Sequence, residues 1–129
     1  MGLFGNIFGG NSETKPESVF PWEAINTVEK LNEIDLVSQE KLCVIFKHST
    51  RCGISKMALR QFEKEAEIKE EKVVFYMLDL ISYRSISQQI AEHYKVTHES
   101  PQVILIKNKK VVAHNSHSGI DATQIEKFL

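Results

Sequence analysis

The chain is short of several things, and each shortage excludes something. It has no bias of charge: 16 Lys and Arg stand against 17 Asp and Glu, for a formal net charge of -1. With no basic stripe interleaved with aromatics, nucleic-acid binding is not expected. Only two cysteines, Cys43 and Cys52, occur in 129 residues. That is no disulfide scaffold, and a reducing, cytoplasmic setting is the natural expectation. No apolar run approaches the ~20 residues a membrane helix needs. Met1–Gly10 lacks the basic start, long apolar run and small-residue cleavage site of a secretory leader, so none is expected. Internal repeats are also missing. What is left, 42% hydrophobic and 26% charged residues, is the balance of an ordinary globular protein with room for one compact domain and its core.

Residues 1–20 read as a tail and linker, and residues 21–129 as the domain. In the tail, Leu3, Phe4, Ile7 and Phe8 share one face if helical, followed by the linker-like run Gly9 to Ser18. This is either a disordered tail with a sticky tip or a weak docking segment for a partner or membrane surface. Met1-Gly2 opens like a myristoylation site, but Asn6 stands where Ser or Thr is needed, so lipidation is not expected.

Within the domain, Trp22–Ile25 predicts an edge strand, and Thr27 a cap for a helix over Val28–Leu36 with Val28, Leu31 and Ile34 inward. The continuous apolar run Leu42–Phe46 suits a central strand covered on both faces. Cys43, in its middle, is expected to be a small buried hydrophobe. From Cys52 to about Lys69, apolar residues recur every three or four positions, predicting a helix that buries Ile54, Met57, Ala58, Phe62, Ala66 and Ile68. Val73–Leu78 reads as a strand ending at Asp79. A helix from Ser82 or Tyr83 to Tyr94 should bury Ile86, Ile90 and Ala91, and Pro101–Ile106 should be a strand. Asn108-Lys109 is a two-residue turn into a hairpin strand over Lys110–Ala113. Asp121 or Ser118 should cap a last helix that buries Ile125 and Phe128. The order β-α-β-α-β-α-β-β-α implies an α/β fold, a mixed sheet of four or five strands with helices on both faces.

The decisive shortage is local. Arg51-Cys52-Gly53-Ile54-Ser55 puts a cysteine where a strand gives way to a helix, yet the fourth position of the C-x-x-C pattern is Ser55. The converging N–H groups and the positive end of the helix favour a thiolate, and Arg51 adds a fixed positive charge. A free thiol titrates at about 8.5, and a helix start with adjacent positive charge is a setting that can lower that value. Cys52 is therefore the candidate nucleophile, with no resolving thiol beside it. Ser55 either hydrogen-bonds the thiolate or simply suits a first turn.

This element order, a cysteine at the start of the second helix and an X-Pro ahead of the hairpin resemble the thioredoxin fold over about residues 22–129. Phe46-Lys47-His48-Ser49, Cys52-x-Ile54-Ser55, His98-Glu99-Ser100-Pro101-Gln102 and Ser116-His117-Ser118 further resemble the monothiol bacilliredoxin family of YtxJ type. The departure is Gly53, where Pro is expected in many members. That resemblance implies a thiol-disulfide oxidoreductase that removes bacillithiol from S-bacillithiolated client proteins, with bacillithiol as a low-molecular-weight co-substrate and no tightly bound cofactor. It also implies a cis Ser100–Pro101 bond facing Cys52, with the Ser100 backbone offered to an extended ligand. Arg51, Lys47 and His48 become candidates for the malate carboxylates of bacillithiol, against the alternative of a solvated basic loop. His117 and Ser118 become candidate ligand contacts. A metal cluster of Cys52, His48, His114 and His117 matches no standard zinc spacing, and none is expected.

Two other readings stay open. Cys52-Gly53-Ile54-Ser55 and Pro101-Gln102-Val103 also resemble monothiol glutaredoxins, which implies an iron–sulfur carrier, although only Gly119-Ile120-Asp121 represents the paired glycines and aspartates expected there. The third is a non-catalytic interaction module of thioredoxin fold.

Overall fold

The computed structural model describes residues 20–129. The expected apolar tail and its linker lie outside the described residues. Phe20, read from sequence as the end of the tail, packs into the fold, its ring centroid 4.7 Å from that of Trp22 and 4.9 Å from that of Phe75.

Five strands form one mixed sheet. They are β1 (Trp22–Ala24), β2 (Leu42–His48), β3 (Val73–Asp79), β4 (Gln102–Lys107) and β5 (Lys110–Ser116), in the spatial order β1-β3-β2-β4-β5. β1 and β2 run parallel to β3, whereas β4 is antiparallel to both β2 and β5. The helices are α1 (Lys30–Val37), α2 (Gly53–Glu65) and α3 (Arg84–Tyr94), with a terminal 3₁₀ helix over Ala122–Phe128.

Every residue of β2 is buried, as befits a strand flanked by two others and covered on both faces. Side chains alternate along it. Cys43 and Ile45 join the core under α1 and α3 with Ile34, Tyr76 and Ile90. Val44 and Phe46 join the core under α2 with Phe62, Phe75 and Val103. Burying Phe62 alone contributes about 1.5–3 kcal/mol, and its ring packs edge-on against Phe46 at 5.5 Å. This one side chain largely decides where α2 sits.

Several boundaries differ from the sequence expectation for identifiable reasons. Thr27–Glu29 form tight turns, with Lys30 N–H bonded to Thr27 O and Leu31 N–H to Val28 O, so α1 begins at Lys30 and Val28 is exposed. α2 stops at Glu65 because Ala66 is extended, which leaves Ile68 exposed. Asn108 and Lys109 both take positive φ, the two-residue hairpin turn expected, but β5 continues to Ser116 rather than ending at Ala113. Asp121 caps the last helix by accepting from Thr123 N–H at 2.9 Å, and that helix is 3₁₀ rather than α.

The largest difference concerns the face of α2. Ile54 and Met57 were expected inward, yet they are 68% and 70% exposed. Ala58, Phe62 and Ala66 face inward as expected, joined by Leu59; the reading fails in the first turns, where a serine, Ser55, holds the inward position instead of Ile54.

Candidate active site

The site gathers at the end of the sheet where β2 finishes. Ser49 to Cys52 form a tight turn closed by Cys52 N–H on Ser49 O at 3.1 Å. Cys52 follows as the N-cap of α2, with extended backbone (φ -106°, ψ 122°), a side chain that caps nothing, and partial exposure. The N–H groups of Gly53, Ile54 and Ser55, which have no partner within the helix, and the positive end of a 13-residue helix therefore lie beside the cysteine. Arg51 is exposed beside it. Gly53 has nothing within 4 Å of where a Cβ would lie and no positive φ, so the fold does not itself demand glycine there.

Ser55 points away from solvent. It is 0% exposed, and its Oγ accepts from Ser49 N–H at 3.0 Å and lies 2.7 Å from His48 Nδ1. Of the two alternatives for Ser55, the bond to the Cys52 sulfur is not seen; the hydroxyl is taken up by a histidine beneath the turn. Ser55 thereby ties the loop before Cys52 to the helix after it.

Lys47 and His48 were expected on a basic loop and are instead the last two residues of β2, both buried. Alternation sends them to opposite faces. His48 goes under α2, where burial pushes its pKa down; Asp79 opposes that shift, Lys56 adds to it and Glu63 opposes it. Lys47 goes under α3 and is 0% exposed. Its Nζ donates to Ser87 O at 3.1 Å and His98 Nδ1 at 3.2 Å, and burial brings its pKa from 10.5 down to about 8. Held this way, Lys47 is not presented to a carboxylate in solution. His98, read as a surface or packing residue, is exposed yet linked inward through Nδ1; burial and then Lys47 lower its pKa.

β4 brings the second half of the site. In register Gln102 sits opposite Lys47 on one side and Ser116 on the other. The Ser100–Pro101 bond that precedes it is cis. Pro101 O accepts from His117 N–H at 3.1 Å, and the turn His117–Gly119 packs against α2. Ser100, Pro101, His117 and the cysteine-bearing helix are thus held at one end of the sheet by chain segments far apart in sequence. His117 has positive φ, and its Nδ1 lies 3.7 Å from Glu99, which also accepts from Ser116 Oγ. Ser118 is exposed in the same turn. Among the described residues, no three His, Cys, Asp or Glu side chains converge as a metal site would require.

Gln102 is a site residue that sequence reasoning missed. It is 1% exposed, donates to Thr97 O at 2.9 Å and accepts from Glu99 N–H at 3.3 Å. It braces the segment leading into Pro101 from inside. The available signal was a glutamine opening an otherwise apolar strand.

Comparison with known proteins bears on this geometry. The family model described as monothiol bacilliredoxin matches residues 23–125. The chain belongs to the monothiol bacilliredoxin family. Among solved structures, a thioredoxin-fold protein proposed as an oxidoreductase is 26% identical with a TM-score of 0.69, covering 83% of this chain and 92% of that one. Fasciola hepatica thioredoxin (21% identity, 82% and 94% covered, TM-score 0.62) and Malassezia sympodialis thioredoxin (22%, 83% and 86%, 0.62) share the fold. This monothiol bacilliredoxin is therefore a thiol oxidoreductase of thioredoxin-like α/β fold, and no helix among its described residues is long and apolar enough to cross a membrane.

Proposed function

We propose that this protein reduces mixed disulfides between client proteins and bacillithiol, with Cys52 as the nucleophile. The thiolate of Cys52 attacks the bacillithiol sulfur of the mixed disulfide. The client sulfur leaves as a thiolate and takes up a proton, and Cys52 carries the bacillithiol adduct. A second bacillithiol thiolate then attacks that adduct, releasing the Cys52 thiolate and bacillithiol disulfide, so that one free bacillithiol is consumed for each client thiol restored. Arg51 is the exposed cation next to Cys52 and the candidate partner for a ligand carboxylate. The backbone at Ser100 and the turn at His117 and Ser118 are candidates to line the ligand's path.

The observation that supports an external resolving thiol is the fate of the two cysteines. Ser55 occupies the resolving position, and Cys43 is fully buried in β2 with its thiol pushed up to about 12 by burial. Incubation with a bacillithiolated protein and bacillithiol, read by intact mass, tests the reading. A single bacillithiol adduct on Cys52 that a second bacillithiol removes is expected. A Cys52→Ala variant that continues to release bacillithiol from the client at the wild-type rate would overturn it.

A further inference from the structure

The hydrogen bonds under Cys52 fix where one proton lies. Ser55 Oγ accepts from Ser49 N–H, which can only donate. Its own hydrogen needs an acceptor, because the residue is fully buried. The one acceptor within reach is His48 Nδ1 at 2.7 Å. While His48 is neutral, the Ser55 hydroxyl therefore donates inward to Nδ1, and the ring carries its hydrogen on Nε2. Once His48 gains a proton at Nδ1, the bond reverses. Ser55 Oγ then accepts from both His48 and Ser49, and its hydrogen is released. Cys52 is the N-cap of the helix whose third residue is Ser55, and no bond joins the two side chains while the Ser55 hydroxyl is committed to His48; the sulfur is the acceptor proposed for the released hydrogen.

We infer that His48 and Ser55 are a proton-linked positioning pair for Cys52, in which protonating His48 turns the Ser55 hydroxyl from the imidazole toward the sulfur. The inference rests on the reading of Cys52 as the reactive thiol. The ionisable groups around His48 are Asp79, its neighbour in register on β3, and Lys56 and Glu63 from α2. Asp79 and Glu63 favour the imidazolium and Lys56 opposes it, and none of the three is hydrogen-bonded to the ring among the described residues. Linkage is reciprocal. A thiolate on Cys52 raises the proton affinity of His48, and an uncharged adduct on Cys52 lowers it. The thiol and the imidazole thus titrate as a coupled pair. Ser55, in the place of a resolving cysteine, carries the coupling instead.

The test is the pH profile of Cys52 alkylation by iodoacetamide in the full-length protein, for wild type and Ser55→Ala. Wild type is expected to show two inflections, one of them at the titration of His48 followed by NMR. Ser55→Ala keeps only one and is about five-fold slower below the His48 midpoint, the weight of one ordinary hydrogen bond, while matching wild type above it. Identical profile shapes in the two proteins overturn the inference. An unreactive wild-type Cys52 at every pH overturns the underlying reading instead. If Ser55→Ala does not fold, 15N NMR of wild-type His48 decides. Hydrogen on Nε2 and a midpoint that falls when Cys52 is capped as its S-methyl disulfide are expected; hydrogen on Nδ1, or an unmoved midpoint, overturns the inference.

Discussion

Cys43 and Cys52 belong to one strand–loop–helix unit and are opposite in every physical respect. Cys43 is wholly buried in β2, its Sγ long-bonded at 3.6 Å to Ile34 O, and desolvation pushes its pKa up to about 12. It packs among apolar residues as one more hydrophobe. Cys52 lies just past the end of the same strand, where the chain leaves the sheet and a helix begins, and the residue is partly exposed. The difference is one of backbone position. A thiol within a central strand is enclosed by the core on the face it points to, while a thiol at an N-cap meets unsatisfied N–H groups and water. The contrast teaches that the number of cysteines in this chain overstates its redox capacity by one.

The strongest attack on that contrast is Cys52→Ala. It is expected to reduce release of bacillithiol from a client protein to the uncatalysed rate, whereas Cys43→Ala keeps the rate; a mass-resolved turnover assay on both variants checks this. Burial acts on an amine as it does on the Cys43 thiol, and Lys47 provides the second test. The unfolded chain holds the Lys47 proton up to about pH 10.5 and the folded one only to about 8. Stability therefore rises with pH across that window, and below about 8 the full burial penalty is felt. The stability of wild type relative to Lys47→Met should rise by about 3 kcal/mol from pH 8 to 10.5. Urea denaturation of both proteins at several pH values reads it, and parallel curves would show that Lys47 keeps an ordinary pKa.

Third in size, Cys43→Ala should destabilise by about 1–2 kcal/mol through the small cavity it leaves, and native Cys43 should resist alkylation until the protein unfolds. A Cys43 that alkylates as readily as Cys52 would erase the contrast. The smallest effect is at Gly53. A Cβ meets nothing there and φ is not positive, so Gly53→Ala should stabilise by about 0.5–1 kcal/mol by removing backbone freedom from the unfolded chain. A fall in the thermal midpoint would mean that the turn at Cys52 needs glycine after all.

Much of the fold was legible because its strands are apolar runs and its helices repeat at three or four residues. Leu42–Phe46 could scarcely be anything but a central strand, and Cys52 after it could scarcely avoid a helix start. The site was harder to read. Lys47 and His48 look like the beginning of a loop, because a polar pair after an apolar run ordinarily marks the way out of a core. They stay inside because Ser87 and His98 from α3 and its following loop, and Ser55 from α2, meet them there. Those partners are remote in sequence, and no local pattern announces them. The first turns of α2 were misjudged for the matching reason: Ser55 holds an inward position through a bond to His48, so Ile54 and Met57 fall on the open side. In both places a polar residue was credited to the surface when a partner across the fold had claimed it.

The aromatic packing of β1 has a practical consequence. Trp22 is the only tryptophan in the chain. Its indole stacks on Phe62 of α2 at 5.9 Å and donates from Nε1 to Glu63 of the same helix at 2.7 Å. All the intrinsic tryptophan emission of this protein therefore originates from a ring seated on the helix that carries Cys52. Loading and unloading of the sulfur can be followed by fluorescence, in real time and without a label, to the extent that either event shifts α2 against the sheet.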